Sequence, residues 1–129
     1  MSKKAWGDWW PIFVRDKCTC VYCGFEGNTP LALRQFEIDH LIPKAVGGLD
    51  VPANKVLACR YCNETKSSFD PGDGDAKKPR SLDHRRTLIE RAKRYINSRT
   101  DNSYGGPGEE SRDFEQMMAE VQTSIGISA

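Results

Sequence analysis

The sequence has neither a long apolar run nor a secretion signal. Its N-terminus, MSKKAWGDWWP, lacks the continuous apolar core of a signal peptide, and no stretch approaches the length needed to span a membrane. Only 38% of the 129 residues are hydrophobic, whereas 29% are charged, so the chain can bury only a modest core. These features predict a cytoplasmic protein without a membrane segment, and they favour a small core stabilised by a bound metal.

There is also little net charge, +1, but the charge is unevenly distributed. Residues 76–99 contain nine Lys or Arg and two acidic residues, whereas residues 100–129 contain one basic and six acidic residues. A basic segment followed by an acidic one is typical of proteins that bind polyanions. The sequence predicts one domain over residues 1–99 and an acidic tail over residues 100–129, in which residues 113–121 favour a short amphipathic helix.

Four of the five cysteines form two Cys-x-x-Cys pairs, Cys20 with Cys23 and Cys59 with Cys62. In a chain without a secretion signal, such thiols indicate metal ligation rather than disulfides. Four thiolates suit a tetrahedral structural zinc with no open position for a substrate; four buried thiols without a metal are the less frequent alternative. Cys18 could in principle replace Cys20, but the matched spacing of the pairs favours Cys20. We expect Cys18 to be a small buried hydrophobic residue.

Between the cysteine pairs the pattern is strand, loop, strand, helix. Residues 31–40 favour a strand, most strongly where apolar and polar residues alternate at Phe36–Ile38, and residues 54–58 favour a second one. The run NETKSSF after Cys62 suits a short helix. The predicted fold class is therefore a small α+β domain.

Two helices are predicted to flank this core. The first covers residues 8–17, capped by Asp8, with Trp9, Ile12 and Phe13 facing the core. The second covers residues 81–98 and is capped by Ser81. Its apolar stripe consists of Leu82, Leu88, Ile89, Ala92, Tyr95 and Ile96.

A second set of polar residues suits a reactive site. Asp39 and Asn63 offer the hard oxygen ligands that Mg²⁺ or Mn²⁺ prefers. His40 is adjacent to Asp39, so on a strand the two side chains point to opposite sides, and one can hold a cation while the other addresses a water. Phosphodiester hydrolysis requires such a base and such a cation. We expect Asn54 to hydrogen-bond the imidazole, although a lone His is more often structural and Asn54 could be a turn residue.

The order Asp39-His40, Asn54, Cys59-x-x-Cys62-Asn63 and Lys66 resembles the HNH endonuclease motif in its zinc-knuckle form. The resemblance covers residues 9–69, with the core of the motif at residues 18–69, and it implies a ββα-metal finger. It also implies His40 as general base, Asn54 as the residue that orients it, and Asp39 and Asn63 as ligands of a catalytic Mg²⁺ or Mn²⁺ beside the structural zinc. Asn63 stands where many members of the family have His.

The resemblance further implies an enzyme that nicks or cuts DNA, similar to phage nucleases, with DNA as a partner and phage packaging proteins as a further one. Lys66 occupies a position that either contacts DNA or faces solvent. The basic helix is a second expected DNA contact, with a solvated charged face as the alternative; its candidate residues are Arg85, Arg86, Arg91 and Arg94. The competing hypothesis is a non-catalytic zinc-ribbon module that binds nucleic acid or protein, which has no need for Asp39, His40, Asn54 and Asn63 together.

Overall fold

The structure, a computed structural model, describes residues 7–72, 74–104, 116, 118–123 and 126, which fall into two compact units, Met1–Ile96 and Asn97–Ala129. A 3₁₀ turn at Gly7–Trp9 leads into the first helix. The main elements are α1 (Trp10–Arg15), α2 (Pro30–Leu33), β1 (Phe36–His40), β2 (Lys55–Cys59), α3 (Arg60–Lys66) and α4 (Leu82–Tyr104). None of the described helices combines the length and the apolar character needed to cross a membrane.

The centre of the first unit is an antiparallel sheet of β1 and β2, in which Ile38 is opposite Leu57 and His40 is opposite Lys55. β2 is an apolar run from Val56 onward and is buried along that length, because both of its faces are covered. Helix α3 follows β2 directly. The predicted order of strand, loop, strand and helix is therefore confirmed, and so is the predicted α+β fold of the ββα-metal type.

The strands are joined by residues 41–54, here called the strand connection. The buried side chain of Asn54 stabilises the conformation of this segment. Its amide oxygen accepts from Ile42 N at 2.9 Å, and its amide nitrogen donates to the carbonyl oxygens of Ile42 and Leu49, each at 2.9 Å. Gly48 lies so close to Ile42 that a Cβ atom there would be 1.7 Å from the Ile42 carbonyl oxygen. Only glycine fits this turn.

Two sequence-based predictions about the N-terminal half are wrong in part. Residues 31–33, predicted to be extended, belong to helix α2, because Thr29 caps the helix by accepting from Ala32 N at 3.0 Å and Pro30 suits a first helical position. Helix α1 begins after Trp9 without a side-chain cap, so Asp8 does not cap it. Ile12 and Phe13 are buried as expected, whereas 42% of Trp9 is exposed.

Helix α4 begins as predicted, since Ser81 Oγ accepts from His84 N at 3.0 Å. Its predicted apolar stripe is buried at Leu88, Ile89, Ala92 and Ile96, while Leu82 is exposed. These residues join one core cluster with Ile12, Phe13, Tyr22, Phe36, Leu41, Ile42, Val56 and Leu57.

In the second unit, residues 118–123 are helical, which overlaps the amphipathic helix predicted at 113–121. Its residues Phe114 and Met117 lie outside the described residues. The predicted domain boundary at residue 99 stays a prediction.

Candidate metal centre and active site

The first cysteine pair lies in a tight hairpin that packs on β2. Cys20 N donates to Phe25 O and Gly24 N donates to Cys20 O, each at 2.9 Å, and Gly24 has a φ of 80°, which favours glycine. Val21 N donates to Leu57 O at 3.0 Å, which fixes the hairpin against the sheet. The structure therefore explains how a pair near residue 20 meets a pair near residue 60.

The second pair lies where β2 becomes α3. Cys59 is the N-cap of the helix, and its sulfur accepts from Cys62 N at 3.4 Å. The Sγ atoms of Cys20, Cys23, Cys59 and Cys62 all lie within 4.8 Å of one another. Those of Cys23 and Cys59 are 3.7 Å apart, close to the roughly 3.8 Å that a tetrahedron with Zn–S bonds of about 2.3 Å requires. These four cysteines could bind a metal ion such as zinc.

Cys18 is separate from this cluster: it is half-buried and packs against the hydrophobic core. In the part of the chain that the structure describes, no other group of three or more His, Cys, Asp or Glu side chains is placed to hold a metal. The proposed role of Cys18 as a small hydrophobic residue is thus consistent with its surroundings, although it is not fully buried.

Hydrogen bonds among the clustered sulfurs redistribute their protons. Bonds from Cys59 and Cys62 hold the pKa of the Cys20 thiol far below its usual range. The hydrogen bond between Cys59 and Cys20 raises the pKa of the Cys59 thiol to about 11. The hydrogen bond between Cys62 and Cys20 raises the pKa of the Cys62 thiol even more. A divalent cation would supply the positive charge that favours ionisation of all four thiols.

A cleft of about 340 Å³ lies next to the C-terminal end of β1. It is formed by residues of β1, the strand connection and the C-terminal end of α3, and it brings together three of the predicted site residues, Asp39, His40 and Asn63. The other lining residues are Ile38, Pro43, Lys44, Ala45, Ser67 and Ser68. Asn54 and Lys66, also predicted site residues, do not line this cleft.

The imidazole of His40 is paired with a carboxylate from the strand connection. His40 Nε2 lies 2.8 Å from Asp50 Oδ1, and Lys55 Nζ lies 2.9 Å from the same oxygen. The bonds from Lys55 and then His40 lower the pKa of Asp50 to about 2. Asp50 is therefore an anion throughout the range in which an imidazole titrates, and towards His40 it can act only as a hydrogen-bond acceptor, with the ring Nε2–H as the donor.

This pairing differs from the predicted contact of the imidazole with Asn54. The hydrogen bonds that the structure gives the Asn54 side chain go to the backbone of Ile42 and Leu49. Because those bonds shape the strand connection that carries Asp50, Asn54 can act on His40 only through the loop. Asp50 is the residue that contacts the ring.

Asp39 is buried and has two partners. Tyr22 donates its phenolic hydroxyl to Asp39 Oδ2 at 2.6 Å, and Lys66 Nζ lies 3.1 Å from the same oxygen. Lys66 Nζ also donates to the carbonyl oxygen of His40 at 3.2 Å. Burial raises the pKa of Asp39, and the positive charge of Lys66 and the hydrogen bond from Tyr22 oppose this rise. The same burial, together with the charge of Asp39, raises the pKa of Tyr22.

This placement corrects the two interpretations of Lys66. Its side chain is 0% exposed, so it neither faces solvent nor can contact DNA from this position. A buried ammonium needs anionic or carbonyl partners, and Lys66 has both in Asp39 and His40. Lys66 is part of the support beneath the cleft.

Asn63 is oriented by a neighbour on β1. Its amide nitrogen donates to Glu37 Oε2 at 3.3 Å, which leaves its carbonyl oxygen as the acceptor. A carboxylate and a carbonyl oxygen in one cleft fit a hard divalent cation. Because Mg²⁺ retains several of its waters when bound, it needs only one or two ligands from the protein. Asp39 and Asn63 are the residues that could hold such an ion.

The four arginines of α4 that were predicted to contact DNA fall into two groups. Arg85 Nη2 forms an ion pair with Asp16 Oδ1 at 3.2 Å, and Arg91 Nη1 donates to Pro71 O at 3.1 Å. Arg86 is exposed and pairs with Asp83 on its own helix, and Arg94 is also exposed. Two of the four predicted DNA contacts, Arg85 and Arg91, thus have partners outside α4, and Arg86 has a partner on α4 itself.

The sequence alone does not predict a role for Asp50, for Tyr22 or for the cleft residues Lys44, Ser67 and Ser68. Tyr22 lies between two cysteines whose spacing indicates only metal ligation, and Asp50 follows a Gly-Gly turn without any local motif. Ser67 has a φ of 50°, a left-handed value uncommon for serine, where α3 ends at the cleft. No periodic pattern predicts any of these contacts, because each depends on tertiary folding.

Residues 20–69 match the family model described as HNH endonuclease, so the predicted resemblance is confirmed over this part of the chain. The match includes both cysteine pairs and the cleft. Neither the curated proteins nor the solved structures include a match to the chain.

Proposed function

We propose that the HNH endonuclease domain matched by residues 20–69 makes this protein a metal-dependent nuclease that hydrolyses DNA phosphodiester bonds, with His40 as general base. The observation that carries the proposal is the pairing of His40 with the Asp50 carboxylate at 2.8 Å, in a cleft shared with Asp39 and Asn63. A zinc-binding module without catalysis would need the four sulfurs but none of this arrangement.

The pairing determines which ring nitrogen acts as the base. Because ionised Asp50 is only an acceptor, the hydrogen of the neutral imidazole is on Nε2, and Nδ1 carries the free lone pair. Nδ1 then takes a proton from a water in the cleft while the water oxygen forms a bond to phosphorus. The bond between phosphorus and the leaving sugar oxygen breaks, and that oxygen gains a proton from solvent.

Asp39 and Asn63 would hold the catalytic divalent cation, Mg²⁺ or Mn²⁺, whose chemistry is to stabilise negative charge on the phosphate and on the leaving oxygen. The exposed ammonium of Lys44 and the hydroxyls of Ser67 and Ser68 line the same cleft and suit a phosphate. The cysteine cluster would hold a structural zinc with no open position.

DNA is the proposed partner. Among the predicted arginines, Arg86 and Arg94 have the exposure that a phosphate contact needs, whereas Arg85 and Arg91 are less exposed and have partners outside α4. Such contacts position a nuclease on the backbone and carry no sequence preference by themselves.

The test compares the two histidines of the chain. His40→Ala removes the base but none of the zinc or cation ligands, so the variant should keep its zinc and its DNA binding. Its rate of plasmid nicking in Mg²⁺ or Mn²⁺ should fall by on the order of 10²- to 10⁴-fold. His84→Ala is the matched control, because His84 Nδ1 accepts from Arg80 N at the start of α4; it should cleave like the wild type.

The result is measured by separating supercoiled, nicked and linear plasmid after incubation with each metal or with a chelator. Wild-type protein that leaves every DNA form intact, or a His40→Ala variant that cuts as fast as the wild type, contradicts the proposal.

A further inference from the structure

The two cysteine pairs contain tyrosines in matching positions, and one of these tyrosines contacts a residue of the cleft. Tyr22 lies between Cys20 and Cys23, and Tyr61 lies between Cys59 and Cys62. Tyr22 is 6% exposed, whereas Tyr61 is 48% exposed. The ring of Tyr22 therefore extends from the sulfur cluster into the core, where its hydroxyl donates to Asp39 Oδ2 at 2.6 Å.

The second partner of Asp39 is also attached to the cysteine cluster. Lys66 is four residues after Cys62 on α3, and its ammonium lies 3.4 Å from Asp39 Oδ1 and 3.1 Å from Oδ2. Both side chains that touch the carboxylate thus come from segments whose positions the sulfurs determine. The carboxylate cannot rotate without breaking one of these contacts.

We propose that Tyr22 is a positioning residue that transmits the geometry of the sulfur cluster to Asp39 and fixes the carboxylate for binding the catalytic cation. The inference rests on the proposed function of the cleft and extends it: the cluster contributes to cation affinity as well as to folding. Residues that orient a metal ligand by hydrogen bonding commonly contribute 10- to 100-fold to metal affinity.

Tyr22→Phe tests the inference because it removes only the hydroxyl and keeps the buried ring. Mn²⁺ affinity is measured without DNA, by electron paramagnetic resonance of free Mn²⁺, on zinc-loaded protein. Tyr22→Phe should keep about one zinc per chain and bind Mn²⁺ roughly 10- to 100-fold more weakly. Tyr61→Phe, the matched control in the other cysteine pair, should have wild-type zinc content and Mn²⁺ affinity.

A double-mutant comparison separates an effect through Asp39 from a general loosening of the fold. In an Asp39→Asn background, Tyr22→Phe should cause little further loss of Mn²⁺ affinity, because the carboxylate on which it acts is gone. Equal losses in both backgrounds overturn the inference, as do an unchanged Mn²⁺ affinity in Tyr22→Phe, an equal loss in Tyr61→Phe, and loss of zinc from Tyr22→Phe.

These measurements do not depend on DNA cleavage. If the wild type binds Mn²⁺ and the Tyr22→Phe variant loses affinity, but no DNA form is cut, the proposed nuclease function is wrong while the role of Tyr22 stands. If cleavage depends on His40 but Mn²⁺ affinity ignores Tyr22, the nuclease function stands and the role of Tyr22 is wrong.

Discussion

At the scale of single residues, two carboxylates in different surroundings determine the chemistry of the cleft: Asp39, which lines it, and Asp50, which contacts His40. Asp39 is buried between Tyr22 and Lys66, and Asp50 is exposed beside His40 and Lys55. The two carboxylates therefore have pKa values displaced in opposite directions, upward for Asp39 by burial and downward for Asp50 by its hydrogen bonds. A buried carboxylate suits ligation, and an exposed one with a low pKa suits orientation of an imidazole.

Asp50→Asn should slow cleavage by roughly ten- to a hundredfold. An amide at position 50 can donate as well as accept, so it no longer selects the tautomer of His40 with the proton on Nε2. Nδ1 then carries the free lone pair in only a fraction of the molecules. We expect less than the roughly 10⁴-fold loss caused by the same change at a buried orienting carboxylate, because the Asp50 side chain is 56% exposed. Nicking rates at saturating Mn²⁺ measure the effect.

Asp83→Asn is the matched control for this change. Asp83 is an exposed carboxylate that pairs with Arg86 at 2.7 Å on α4. Its substitution should leave the nicking rate within about twofold of the wild type, since surface changes away from a site have small effects. A nicking rate in Asp50→Asn equal to that of Asp83→Asn would mean that the contact of Asp50 with the ring contributes nothing.

At the scale of elements, the sequence predicts the parts that depend on local pattern. The alternation at Phe36–Ile38 predicts β1, although the strand begins at Phe36 rather than at residue 31. The run NETKSSF predicts α3, which begins slightly earlier, at Arg60. The helical turn at residues 30–33 was missed although Thr29-Pro30 is a recognisable helix start. The shape of the strand connection was not predictable, since it depends on Asn54 contacting Ile42 and Leu49 across the folded loop.

Asn54→Ala should lower the free energy of unfolding by about 3 kcal/mol, because three buried or partly buried backbone groups lose their partner and each costs about 1–3 kcal/mol. Cleavage should fall as well, since the loop that carries Asp50 loses its internal support. Urea unfolding followed by circular dichroism measures the first effect.

The exposed Asn28 provides the comparison, and Asn28→Ala should change the free energy of unfolding by less than about 0.5 kcal/mol. If Asn54→Ala were as stable as Asn28→Ala, the hydrogen bonds of Asn54 would not be what maintains the strand connection.

At the scale of the first unit, the cysteine cluster joins segments that are far apart in sequence. In the hairpin around Cys20, Val21 N donates to Leu57 O of β2, the sulfurs lie next to those of Cys59 and Cys62, and the hydroxyl of Tyr22 contacts Asp39 of β1. The pairing of the cysteines was predictable from their spacing. The link from the cluster to Asp39 was not, because it joins residues 17 positions apart through a buried hydroxyl.

Cys59→Ser should abolish zinc binding and cooperative folding together, whereas Cys18→Ser should retain both. Zinc binding to four thiolates is worth about 10–16 kcal/mol in small domains, comparable to the whole stability of a domain of this size. Cys59 is both a member of the cluster and the N-cap of α3, so its loss removes a ligand and frees the helix that carries Asn63 and Lys66. Atomic absorption gives the zinc content, expected at about one per chain in the wild type, and a thermal melt shows whether unfolding is cooperative. Zinc loss from Cys18→Ser, with zinc retained in Cys59→Ser, would assign the site to a different set of sulfurs and remove the basis for linking the cluster to the cleft.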